Sequence, residues 1–265
     1  MDLLYNLFQI SLKSGEEIMS VYDKEFEVEL KPDNSPVTAA DKRAHQIITK
    51  GLEERDKSIP IISEEGEISP YQERKDWGQF WLVDPLDGTK NFVKRNGEFT
   101  VNIALINDCY PILGAIYAPA FDIFYFGQEG KGAYKLENAS QYSESIKSTE
   151  ELIEKSICLP EKNNRTKMRV VASRSYLSPE TKAFMNRFEK EVEVVSSGSS
   201  LKFCLVAEGQ ADYYPRYAPT MEWDTGAGQA IVEAAGGKVT KHSNGQRFRY
   251  NRENMKNEWF LVERL

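Results

Sequence analysis

Apolar residues recur at helical spacing from the start of the chain. Leu4, Leu7, Phe8, Ile18, Met19 and Tyr22, with the small Ser11 and Gly15 between them, share one stripe. That pattern predicts an amphipathic helix over 2–22. A break follows at Lys31-Pro32-Asp33-Asn34-Ser35-Pro36, and a second helix is expected over 38–55 with Ala44, Ile47, Ile48 and Leu52 facing inward. Pro60-Ile61-Ile62-Ser63 reads as a short strand. Phe80-Trp81-Leu82-Val83 is a continuous apolar run ending in Asp84, as expected of a strand buried on both faces. From Phe99 to Leu136 the segments FTVNIALI, ILGAIYAP, DIFYFG and KGAYKL alternate like antiparallel strands, with turns at Asn107-Asp108 and Gly130.

The polar stretch 137–167 is the expected boundary, dividing the chain into halves 1–145 and 146–265. The second half alternates between periods. MRVVAS, EVEVV and ADYYP read as strands; 179–190, SSLKFCLVAEG and 224–235 read as helices. Two helices followed by a meander predict an α+β layout for the first half, and the βαβα rhythm predicts an α/β sheet flanked by helices in the second.

Composition narrows the function. The chain has 265 residues, 34 Lys plus Arg against 41 Asp plus Glu, and a net charge of -7. An acidic surface argues against a partner such as a nucleic acid polymer, whose phosphates need basic side chains. It leaves room for a small anion, because bound divalent cations invert the local field. Cys109, Cys158 and Cys204 form no CxxC pair and fit reduced thiols. No apolar run approaches the ~20 residues of a spanning helix, and the N-terminus lacks the basic region of a secretory signal. The expected location is cytoplasmic. The first helix is read as a core helix, with a peripheral place at the inner membrane surface as its alternative, although its polar face lacks basic enrichment.

The chemistry concentrates in acids. Asp84-Pro85-Leu86-Asp87-Gly88-Thr89 follows the buried strand and sets two carboxylates three residues apart, with the Leu86 carbonyl between them. Hard oxygens in that arrangement suit magnesium, and the amides of Gly88 and Thr89 can face an anion at a helix start. Taken alone, the segment also fits an Asx turn that caps a helix. Glu64-Glu65 lies upstream at the end of another strand. Trp223-Asp224-Thr225-Gly226-Ala227-Gly228 lies far downstream, where Asp224 alone would read as an N-cap. His45 and His242, the only histidines, adjoin no motif and read as surface or packing residues.

Glu-Glu, DPLDGT with its following Asn and Phe, WDTGAG with a later AGG, and Thr38-Ala39-Ala40-Asp41 occur in one order over roughly 35–240. In this the chain resembles the lithium-sensitive, magnesium-dependent phosphomonoesterases of the inositol monophosphatase superfamily. The resemblance implies a layered αβαβ sandwich of the sugar phosphatase type, α+β and α/β in its halves, and two or three Mg2+ ions held by Glu64, Asp84, the Leu86 carbonyl, Asp87 and Asp224. It further implies that Glu64 orients the attacking water, that Thr89 helps polarise it, and that Asp41 hydrogen-bonds Thr89. Glu65 is left outside the ligand set.

Gly198-Ser199-Ser200-Leu201-Lys202 through Asp212, then Tyr213-Tyr214-Pro215-Arg216, resembles the CysQ-type 3'(2'),5'-bisphosphate nucleotidases, as does Ala172-Ser173-Arg174-Ser175. That likeness implies a small phosphorylated nucleotide as substrate and a place in sulfur metabolism or nucleotide turnover. A substrate with two phosphates needs a second anion site. Arg174, Arg216, Lys202 and the Gly198 and Ser199 amides, together with Gly88, Thr89 and Asp224, are the expected substrate-binding set. The alternatives are an inositol monophosphatase, a broader sugar phosphatase, or a catalytically silent metabolite-binding protein; every expected acid is present, which weighs against the last.

Overall fold

The structure, a computed structural model, describes residues 3–32, 35–162, 165–172, 177–189 and 191–265. Helix α1 (Leu3–Tyr22) buries Leu4, Leu7, Phe8 and Ile18, so its apolar stripe is taken up by the core. After it comes a small hairpin, β1 (Glu29–Leu30) against β2 (Pro36–Val37). Helix α2 (Ala39–Arg55) lies against α1. Its start is fixed by a reciprocal cap: Thr38 Oγ1 accepts from Ala40 N at 3.2 Å, and Asp41 Oδ2 accepts from Thr38 N at 2.7 Å. Ile47, expected to face inward, is only half-buried.

The first sheet has seven strands: β3 (Ile61–Ser63), β4 (Gln79–Asp87), β5 (Thr100–Asn107), β6 (Tyr110–Ala118), β7 (Ile123–Gln128), β8 (Gly132–Glu137) and β9 (Ile157–Leu159). They lie side by side in that order, and only β3 with β4 is parallel. Short helices α3 (Tyr71–Arg74), α4 (Thr89–Val93) and α5 (Thr149–Lys155) sit in the connections. Because β9 is an edge strand of this sheet, the sheet takes in residues beyond the expected division at 145. Few large apolar residues are needed there, since a three-residue edge strand buries only Leu159.

Strand alternation explains the layering. Val83, Val101, Ile103, Leu105 and Phe126 pack with α1 and α2; Leu82, Ala104, Ile106 and Tyr125 face the opposite way. That second face receives α7 (Leu201–Ala207) and α8 (Gly226–Ala234), beneath which lies a second sheet. Gly114 admits α8 closely, for a Cβ there would lie 2.4 Å from Ala227 O. The second sheet runs β11 (Val192–Val195), β10 (Met168–Val171), β12 (Tyr213–Arg216), β14 (Phe260–Glu263), β13 (Lys238–Lys241). Helices, sheet, helices, sheet is the expected αβαβ sandwich.

Two boundaries and two strands differ from expectation. The helix predicted over 179–190 is α6 (Pro179–Met185), which ends where Arg187 N and Phe188 N turn to carbonyls three residues back. Strands β13 and β14 were not foreseen, because Lys-rich and Glu-bearing edges mask their short apolar alternation. The helix expected from 224 begins at Gly226, after a 3₁₀ turn over Glu222–Asp224.

Candidate active site

Glu64 is placed by strand pairing. Its amide donates to Val83 O at 3.1 Å, continuing the parallel register Ser63↔Val83, so Glu64 stands beside Asp84. Strand β4 does not stop at Asp84, as the apolar run suggested. It continues to Asp87 through a bulge, because Asp84 pairs with Asn102 and Asp87 with Thr100, leaving Pro85 and Leu86 opposite Val101 alone. Pro85 has no amide to give the ladder. The bulge turns the Leu86 carbonyl and Asp87 out of the sheet's alternation. Asp84 Oδ1 accepts from Leu86 N at 3.1 Å, while its Oδ2 is buried with no partner, in a residue only 1% exposed.

Gly88 makes the next turn at φ 90°, where a Cβ would be crowded to 3.0 Å from Glu98 O. Thr89 then opens α4. Its Oγ1 reaches Asp41 Oδ1 at 3.1 Å and Leu86 O at 3.3 Å. Asp224 arrives from the other half on the 3₁₀ turn, where its Oδ2 accepts from Met221 N at 2.7 Å. Carboxylate oxygens of Glu64, Asp84 and Asp224 all lie within 4.8 Å of one another.

Asp87, expected in the same set, directs Oδ2 to Ser199 Oγ at 2.6 Å. Ser199, held at φ 53°, also reaches Thr100 Oγ1 at 2.5 Å. Its hydroxyl therefore latches the second half of the chain onto the acidic motif, a role its expected use as an amide donor did not suggest. Gly198 is sterically required beside it: a Cβ would fall 2.2 Å from Asn91 Nδ2.

Electrostatics match the crowding. Burial, then the neighbouring acids Glu64 and Asp87, hold the Asp84 carboxyl well above the usual range. Burial raises Glu64 and Asp41 as well, and pushes Asp224 up to about 8. Hard carboxylate oxygens, a buried acceptor without a donor and mutual repulsion are together a donor set that fits a divalent cation. Lys31, at the hairpin tip, partly answers the charge: its Nζ lies 2.7 Å from Glu64 Oε1 and 2.5 Å from Glu65 Oε1. No spacing in the sequence marks Lys31, since only the hairpin brings it across 33 positions. His45 is nearer the site than expected, its Nδ1 2.9 Å from the Ser63 hydroxyl next to Glu64.

A cavity of about 550 Å³ has Gly198, Lys202, Tyr214 and Arg216 among its lining, and Ser199, next to Gly198, bonds Asp87. Burial pushes the Lys202 ammonium down to about 8 even though Asp87 and Asp224 favour its charge. The Arg216 Nε is buried without a partner, and one Nη donates to Pro219 O at 3.3 Å. The cavity rim also carries Asn91, Lys94 and Glu98, which no motif had singled out. Arg174 lies outside the described residues.

A family model described as the inositol monophosphatase family matches residues 2–260. The 3'(2'),5'-bisphosphate nucleotidase CysQ of Escherichia coli (strain K12) is 45% identical over 239 residues, spanning 89% of each chain. The enzyme of that name from Haemophilus influenzae is 33% identical over 262 residues, 98% of this chain and 92% of its own. The crystal structure of CysQ from Bacteroides thetaiotaomicron superposes with a TM-score of 0.88 at 46% identity, covering 97% of this chain and 94% of that one. An IMPase of Thermotoga maritima, at 23% identity, 100% and 92% coverage and a TM-score of 0.73, shares the fold. Among the described residues no helix is long and apolar enough to cross a membrane. Matched along nearly its whole length, with the family's acids gathered at one cleft, the chain belongs to the inositol monophosphatase family.

Proposed function

We propose that this chain hydrolyses the 3'(2')-phosphate of a nucleoside 3'(2'),5'-bisphosphate, with 3'-phosphoadenosine 5'-phosphate giving AMP and phosphate. The observation that carries the reading is adjacency: Lys202 and Arg216 line one cavity, Lys202 feels the charges of Asp87 and Asp224, and Arg216 that of Asp224. One phosphate can then meet the acids' cations while a second meets fixed positive charge. A relative sharing 45% of the sequence over about nine-tenths of the chain bears the nucleotidase name.

Glu64, Asp84, the Leu86 carbonyl, Asp87 and Asp224 would hold magnesium, two or three ions in all. Bound there, the ions supply Lewis acidity and neutralise charge on the phosphoryl oxygens. The chain's own groups do the rest. Thr89, donating to Asp41, leaves its oxygen lone pairs to orient the attacking water. Glu64 faces the same water as proton acceptor. The water oxygen bonds to phosphorus as its proton passes to Glu64, the P–O bond to the ribose breaks, and the ribose oxygen leaves with a proton taken from solvent water, to which Glu64 returns its own. Lys202 and Arg216 keep the other phosphate in place, so that the reacting one is already positioned. In this reading the division of labour falls after β9: the first unit brings Glu64 and the DPLDGT motif, the second Asp224 and the anion pocket.

Phosphate release from 3'-phosphoadenosine 5'-phosphate beside inositol 1-phosphate, with magnesium and then with EDTA, tests the reading. Turnover of the nucleotide that stops with EDTA is expected. Preference for inositol 1-phosphate would overturn it.

A further inference from the structure

Three neighbouring strands of the second sheet end in one row of rings. Arg216 pairs with Phe260 across β12 and β14, and Lys241 pairs with Phe260 across β13 and β14. The residues one step beyond, Tyr217, Trp259 and His242, are therefore brought together by strand register. His242 N donates to Trp259 O at 2.8 Å, which extends the pairing. The Tyr217 ring stands 5.0 Å from His242 at 86° and 5.4 Å from Trp259 at 78°. Both neighbours are thus near perpendicular to the tyrosine, and among the described residues no ring stacks flat upon it.

Tyr217 also lines the cavity that contains Lys202 and Arg216. It is half-buried, while the cavity's other aromatic residue, Tyr214, is buried and already engaged. Tyr214 meets Phe203 and Phe260 nearly at right angles, and the Lys202 ammonium lies 5.8 Å over its ring. The cavity thus offers three cations, Lys94, Lys202 and Arg216, and one half-buried aromatic ring held from outside by two more. An anion joined to a planar aromatic group fits that combination, because base–aromatic stacking adds affinity without requiring a particular hydrogen-bond pattern.

We propose that Tyr217 is the stacking platform for the nucleobase of the substrate, with His242 and Trp259 as the bracket that orients it. The inference rests on the bisphosphate nucleotide reading and adds to it how the enzyme separates nucleotides from sugar phosphates that lack a base. Tyr217 acts in binding, so its effect belongs in KM rather than kcat.

The test measures kcat and KM of the full-length protein with magnesium, on 3'-phosphoadenosine 5'-phosphate and on a ribose bisphosphate without the base. Tyr217→Ala should lower kcat/KM on the nucleotide about tenfold or more, chiefly through KM, and change the base-free substrate by less than about twofold. Tyr217→Phe should restore the nucleotide value. Trp259→Leu, altered outside the cavity, should shift the same ratio in the same direction, and it serves if Tyr217→Ala fails to fold. Parallel losses on both substrates, or an unchanged nucleotide KM, overturn the platform while leaving the nucleotidase reading intact. A wild-type protein that cleaves only the base-free substrate overturns that reading, and the platform with it.

Discussion

Thr89 Oγ1 donates to Asp41 Oδ1 at 3.1 Å, tying the first turn of α4 to the first turn of α2. The other Asp41 oxygen is already held by Thr38, at 2.7 Å from both its amide and its hydroxyl. Asp41 therefore fixes the direction of the Thr89 hydroxyl and has little freedom to do anything else. In the proposed reaction Thr89→Ala should lower kcat by about a hundredfold at unchanged KM, the scale of a lost proton-handling group. Thr89→Ser should recover most of it. A Thr89→Ala protein with wild-type kcat would remove Thr89 from the chemistry.

Asp84→Asn is expected to separate function from stability. The buried carboxylate has one oxygen without a partner and sits among Glu64, Asp87 and Asp224, whose charges all oppose its own. A neutral isostere relieves that repulsion when no cation is bound. The melting temperature without magnesium should therefore hold or rise, the stabilisation gained on adding magnesium should shrink, and turnover should disappear. Substantial turnover in the folded variant would contradict the metal-site assignment.

The acids of this site were legible in the sequence because local order carries them. A strand end, a proline-linked pair of aspartates and a helix start each leave a mark within a few residues. What escaped depends on distant register. Lys31 reaches Glu64 only through a hairpin tip; Ser199 reaches Asp87 across 112 positions. The same holds for the fold. Core strands such as β5 were plain from continuous apolar runs, while β13 and β14 alternate with Lys and Glu and read as loop. Strand β9, which falls past the expected division at 145, escaped for a related reason: it is too short to carry a pattern yet pairs with β8.

Lys202 should give the reaction a pH limb. Burial lowers its ammonium from 10.5 to about 8, so the charge is present below that pH and lost above it. The folded protein then binds fewer protons than the unfolded chain between about 8 and 10.5, and Lys202 favours folding progressively as pH rises through that window. Activity should run the opposite way. On the bisphosphate nucleotide kcat/KM, which reports the free enzyme, should fall above about pH 8, while a monophosphate substrate lacks that limb. Lys202→Met should be low and flat across the same range. A limb that persists in Lys202→Met belongs to another group.

Arg216 decides whether the second phosphate is read by a fork or by proximity alone. It lines the cavity, its Nε is buried without a partner, and one Nη donates to Pro219 O at 3.3 Å. A structural role bracing Asp212 is already filled. Arg264 lies 2.9 Å and Arg165 3.3 Å from that carboxylate, and Arg169 N donates to it at 2.8 Å. Losing a charge-assisted contact to phosphate is worth ~1.5–3 kcal/mol, so Arg216→Ala should cut kcat/KM on the bisphosphate nucleotide roughly ten- to a hundredfold. A monophosphate, with nothing to place there, should be spared. Arg216→Lys should recover only part of the loss, because a point charge cannot reproduce the guanidinium geometry. The ratio of the two specificity constants, in a variant that melts like the wild type, is the deciding measurement: if it does not move, Arg216 does not hold the second phosphate.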